Sequence, residues 1–126
     1  MDPRITWAVD EIQRRVAEPL TVAQLAAAVN LSPSRFAHLF QQETGVSPIR
    51  YRFEQRMTRA RALLESGAMS VKQVRAAVGC ADPSHFARDF RRFHGVSPSS
   101  CRIAAALPGT EPEITTAGGM LEVRPP

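Results

Sequence analysis

Ten side chains in this sequence have the types and spacing to read a nucleic acid. Ser34, Arg35, His38, Gln41 and Gln42 form one set, and Ser84, His85, Arg88, Arg91 and Arg92 form another, each position 50 residues after its counterpart. At helical spacing each set makes one stripe. The stripes carry hydroxyl, amide, imidazole and guanidinium groups and no carboxylate. Arg is bidentate to guanine, Gln to adenine, and Ser serves either, while the cations also suit phosphates. A solvated polar face is the plain alternative for a single stripe. Its repetition, both times without acid, argues for a shared role.

Other chemistries find little support. His38, His85 and His94 with Cys80 and Cys101 show neither CxxC nor HxxxH spacing, so no metal is expected. No nucleophile–base pair or phosphate loop appears, so the chain reads as a non-enzyme with no cofactor. Two cysteines make no disulfide framework. Cys80 reads as a small hydrophobe matching Leu31, and Trp7 as core or helix-packing surface. Arg50, Arg52, Arg56, Arg59 and Arg61 read mostly as a solvated helix face, some paired with Glu54 or Glu65, with a minority touching phosphate.

The stripes must be held by folded elements, and the sequence repeats these too. "PSRFAHLFQQETGVSP" (33–48) aligns with "PSHFARDFRRFHGVSP" (83–98), identical at nine of sixteen positions. Upstream, "TVAQLAAAVN" (21–30) aligns with "SVKQVRAAVG" (70–79), with the offset reduced to 49. The slip falls between "NLSP" and "GCADP", so a turn lies there, because turns absorb insertions. Each copy reads as helix, tight turn, helix. Thr21/Gln24 and Ser70/Gln73 are capping boxes. Asn30 and Gly79 suit a left-handed helix exit. Ser32-Pro33 and Asp82-Pro83 pair an N-cap with proline at the first helical position. Phe36/Phe40 and Phe86/Phe90 turn inward. GVSP closes one helix and starts the next.

Ile5, Val9, Ile12 and Val16 predict an amphipathic helix over about residues 4–17. Ile49, Phe53, Met57, Ala60 and Leu64 predict an inward stripe on a connecting helix of roughly 18 residues, ~27 Å long. That length would bring the two reading helices near the ~34 Å of one DNA turn, so a monomer would read an asymmetric site in two successive major grooves. A seventh helix is expected from Pro98 to about Ala106. The expected fold is therefore all-α, with seven helices. Residues 1–47 form a first helix-turn-helix subdomain, 48–67 the linker helix and 68–106 the second subdomain. Residues 107–126, rich in Pro, Gly and Thr, read as a disordered tail.

Charge agrees with this division. Residues 1–106 hold 15 Arg and Lys against 9 Asp and Glu, whereas the tail is acidic. A basic folded part suggests a polyanionic partner. No apolar run is long enough to span a membrane and no secretory signal opens the chain, so a cytoplasmic, nucleoid-associated location is expected.

"LSPSRFAHLFQQETGVSPIRY", "QRMTRARALLESG" and "DPSHFARDFRRFHGVSPSSCR" together resemble the DNA-binding domain of the AraC/XylS family of bacterial transcription regulators, over about residues 5–106. The resemblance implies double-stranded DNA as partner and transcription activation as role, with RNA polymerase as the protein an activator would meet. It places the DNA-reading positions on Ser34, Arg35, Ala37, His38 and Gln41, and on Ser84, His85, Ala87, Arg88 and Arg91. Backbone contacts would come from helix N-termini and basic residues such as Arg92. Cys80 stands where the family more often has an aromatic, and Cys101 where it prefers Tyr, implying a lighter core in the second unit. Met1 lies close to the first helix, which fits the short stand-alone members controlled by abundance, or an excised fragment. Two rival readings remain: a helical adaptor that binds RNA polymerase or another regulator without DNA, and a non-specific architectural binder.

Overall fold

The computed structural model describes residues 1–106, 113–117 and 120–124. Seven helices occur among them: α1 (Pro3–Arg14), α2 (Val22–Ala28), α3 (Pro33–Thr44), α4 (Pro48–Glu65), α5 (Val71–Ala77), α6 (Pro83–His94) and α7 (Pro98–Ala106). They belong to two compact units, Met1–Arg56 and the remainder from Met57, so α4 contributes one stretch to each.

The repeated caps form as their residue types require. Thr21 Oγ1 accepts from the Gln24 amide at 3.1 Å, and Gln24 Oε1 accepts from the Thr21 amide at 2.9 Å. Ser70 and Gln73 do the same at 3.1 and 2.8 Å. Asn30 (φ 60°) and Gly79 (φ 76°) make the left-handed turn after α2 and α5. Ser32 and Asp82 cap α3 and α6.

In the first unit, Ile5, Ala8, Ile12, Leu20, Leu25, Ala26, Phe36 and Phe40 form one buried cluster, with Tyr51 packed against it. In the second, Met57, Ala60, Leu64, Val74, Val78, Phe86, Phe90 and Cys101 are buried. At ~25 cal/mol per Å² of apolar area, burying each large side chain contributes about 1.5–3 kcal/mol, so these clusters hold α3 and α6 in place.

Several expectations need correction. Helix α1 ends at Arg14 rather than near residue 17, and Asp2 caps it ahead of Pro3. Ile49 is 71% exposed, not inward. Tyr51 takes the inward side of that turn, and a residue two positions away points nearly opposite. The arginines of α4 are not mainly a solvated face. Arg56 Nε donates to the Val16 carbonyl at 2.9 Å and Arg52 Nη2 to the Glu18 carbonyl, fastening the α1–α2 connection. Arg61 is buried. Arg50, ion-paired with Glu54 and lying over the Phe53 ring, and the exposed Arg59 keep to the expected pattern, and Arg61, though buried, has the expected partner in Glu65. The expected disordered tail lies partly outside the described residues. Within it Glu113–Ala117 (β1) and Met120–Arg124 (β2) pair antiparallel, Ala117 opposite Met120. β-Branched Ile114, Thr115, Thr116 and Val123 favour strand, and Gly118-Gly119 in the sequence is a hairpin signal.

Candidate nucleic-acid interface

Helix α3 buries Phe36 and Phe40, whose ring centroids lie 5.9 Å apart; α6 buries Phe86 and Phe90 at 5.8 Å. With those faces inward, Ser34, Arg35, His38, Gln41 and Gln42 are exposed on α3, and Ala37 is half-buried. Ser84, His85, Ala87, Arg88, Arg91 and Arg92 are all exposed on α6. Each set therefore stands on the solvent side of a helix that its aromatic pair pins to a core.

On α3 the structure brings Ser34, Arg35, His38 and Gln42 along one open groove of about 390 Å³, lined also by Leu31 and Leu39. Arg4 of α1 lines the same groove, and sequence reasoning missed it. Its guanidinium is forked onto Asp2, at 3.1 Å from Nε and 2.9 Å from Nη2. The bond from Arg4 is the main reason the Asp2 carboxyl is held down at about 2. Gln41 lies outside the groove lining.

On α6 the Asp82 carboxylate accepts the His85 amide at 3.0 Å. That bond, with the charges of His85 and Arg88, lowers its pKa. Asp82 is thus spent on the helix end and does not interrupt the basic stripe. The turn before α6 is one residue longer than its counterpart. Arg75 Nη1 bonds the carbonyls of Cys80 (3.0 Å) and Ala81 (2.7 Å) there. The matching residue in the first repeat is Ala26, fully buried. An arginine at this place beside a one-residue insertion was the available sequence signal, and it went unread. Among the described residues no helix is long and apolar enough to cross a membrane.

Residues 25–103 match the family described as a helix-turn-helix domain. A solved transcriptional regulator from Chromobacterium violaceum, of the AraC-type DNA-binding domain-containing proteins, is 33% identical, with a TM-score of 0.75 over 85% of this chain and 96% of that one. The chain belongs to the AraC-type helix-turn-helix family. The DNA-binding domain of AdpA, a global transcriptional factor, solved in complex with a target DNA, is 31% identical, with a TM-score of 0.75 over 80% of this chain and 91% of that one. The arabinose operon regulatory protein of Salmonella typhimurium is 38% identical over 103 residues, 81% of this chain but 37% of the relative. This AraC-type chain thus spans little more than a third of the curated relatives it matches first.

Proposed function

We propose that the chain is a sequence-specific regulator that binds double-stranded DNA, with α3 and α6 each entering the major groove. The observation that carries this reading is the pair of exposed, acid-free stripes on α3 and α6, set on matching caps and matching Phe pairs. Arg88 and Arg91 take guanine edges, while Arg35, His38 and Gln41 read the other half of the site. Ser34 and Ser84 act near the helix N-termini, Ala37 and Ala87 meet thymine methyls, and Gln42, His85 and Arg92 contact the edges or the backbone. Helix α4 has 18 residues, which at about 1.5 Å each is ~27 Å. A connecting helix of that length supports the reading of two successive grooves by a monomer on an asymmetric site. The role is activation in the cytoplasm, on the nucleoid, with RNA polymerase as protein partner. Residues 1–47, 48–67 and 68–106 act as reading unit, spacer and second reading unit. The complex of the AdpA domain with its target DNA supports this reading.

Selecting bound duplexes from a random pool, then titrating the winner at ~100 mM salt, tests it. The expected result is a preferred motif of two dissimilar halves about ten base pairs apart. No shift of any duplex would favour the adaptor reading, and a steep salt dependence with no motif would favour the architectural one.

A further inference from the structure

His94, the last residue of α6, is drawn inward while Arg91 and Arg92 on the same turn stay exposed. Its ring centroid lies 4.5 Å from that of Phe90 and 4.8 Å from that of Phe93. Nε2 is 2.8 Å from the Met57 carbonyl oxygen, and Nδ1 is 3.2 Å from Arg61 Nη1. A carbonyl only accepts and a guanidinium only donates, so the proton sits on Nε2 and Nδ1 is a bare acceptor. The Nδ1 bond requires the neutral ring, whereas the Nε2 bond to the carbonyl can form in either charge state.

Arg61 is 5% exposed. Its Nε lies 3.4 Å from Glu65 Oε2, and its Nη2 is buried with no partner among the described residues. His94 Nδ1 is therefore an acceptor that this buried cation has little margin to lose.

We propose that His94 and Arg61 are positioning residues for α6: together they fasten its C-terminal end to the connecting helix, and protonation of His94 unfastens it. The proposal rests on the reading of α6 as a DNA-reading helix. A proton on Nδ1 would leave two donors facing each other and two cations in a buried place. The charged and titratable groups around the pair are Glu65 on α4, which faces Arg61, and Cys101 on α7, whose thiol burial keeps neutral. Burial disfavours the imidazolium most; the Met57 carbonyl, next in size, pulls the other way, and Arg61 adds a lesser push on the side of burial. An unfolded His94 takes its proton near 6.5, so the fastening is complete above that pH and weakens as pH falls below it. The matching residue in the first repeat is Thr44, whose hydroxyl donates to the Phe40 carbonyl at 2.8 Å and does not titrate near neutrality. The first reading helix thus has no such device and serves as an internal control.

The test uses the full chain and its selected duplex, titrated between about pH 7.5 and 5.5, the range over which a histidine changes charge. His94→Gln keeps a donor and an acceptor and has no proton to gain. Wild type should lose up to about tenfold in affinity over this range, the most that uptake of one proton costs per pH unit. His94→Gln should match wild type at the upper pH and lose much less. His38 and His85 are present in both proteins, so the difference between the profiles isolates His94. His94→Phe keeps the stacking and removes both bonds. It should discriminate the second half of the site poorly at every pH and the first half normally. Coincident profiles for wild type and His94→Gln, or a His94→Phe variant that reads both halves normally, would overturn the proposal. A duplex with its second half scrambled separates the two levels. If wild type binds it as well as the intact site, the reading of α6 fails and the positioning role with it. If wild type discriminates but the profiles coincide, only the positioning role fails.

Discussion

Tyr51 stands edge-on to Phe40, with ring centroids 5.7 Å apart, and its hydroxyl accepts a bond from Gln13 Nε2 at 2.7 Å. The equivalent position in the second repeat is Cys101, and there the ring against the equivalent Phe90 belongs to His94. Each unit thus sets a second ring against its inner Phe, Tyr51 from α4 in the first and His94 from α6 in the second. Tyr51→Ala should destabilise the first unit by about 2–3 kcal/mol, below the full-burial cost because the ring is only partly covered. Tyr51→Phe should cost less than about 1 kcal/mol, for a single surface hydrogen bond. Denaturant unfolding of both variants checks the order. Cys101→Tyr should destabilise rather than help, by about 1–3 kcal/mol, because Cys101 is buried and a phenol ring there would overpack the second core.

Arg88 and Arg92 lie one helical turn apart on α6, both exposed, and should fail differently. Arg88→Ala should relax base preference in one half of the site by about 1–3 kcal/mol. Arg92→Ala should weaken all duplexes alike and flatten the salt slope by about one unit. Binding-site selection and salt titration of each variant make the comparison. An unchanged preference in Arg88→Ala would remove it from the base-reading set.

Arg75 ties down the carbonyls of the longer turn before α6. Arg75→Ala should lower stability by about 0.5–1.5 kcal/mol, for one half-buried and one exposed carbonyl that lose their donor. Deleting one residue of that turn together with Arg75→Ala should recover part of the loss, since the first repeat closes the shorter turn over an alanine. Thermal melts of the single and combined variants measure this.

Ser32 and Asp82 cap equivalent helices with different chemistry, which gives them different pH responses. Ser32→Ala should cost about 1 kcal/mol at any pH. The Asp82 carboxyl lies below its ordinary 3.8 in the folded chain, chiefly because it accepts the His85 amide. Its contribution is therefore complete above 3.8 and is lost as pH falls through the lower folded value. Asp82→Asn should keep the cap and remove this acid-dependent component. Melting curves of the two variants across the acid range compare them.

The helices and their ends, those of α1 excepted, were legible because capping is local. Thr21, Ser32, Ser70 and Asp82 act on amides two or three residues away, and Gly45 and Gly95 need only their own backbone. The exposed polar stripes of α3 and α6 followed from the Phe pairs by helical geometry. What the sequence concealed were long-range partners. Arg52 and Arg56 reach carbonyls more than thirty residues earlier, and Arg61 and His94 find each other across the second unit. A period of 3.6 also placed Ile49 inward, because nothing local shows that Tyr51 meets Phe40. Arg4 joined the α3 groove for the same reason: its position depends on how α1 packs, not on its neighbours in sequence.

The central claim is that one chain reads two successive major grooves of one duplex with α3 and α6. Methylation interference at guanine N7, with a single copy of the chain on its selected duplex, tests it most directly. The expected result is two patches about ten base pairs apart on one face, the second lost in Arg88→Ala and the first retained. One patch only, or two patches lost together in that variant, would contradict the claim.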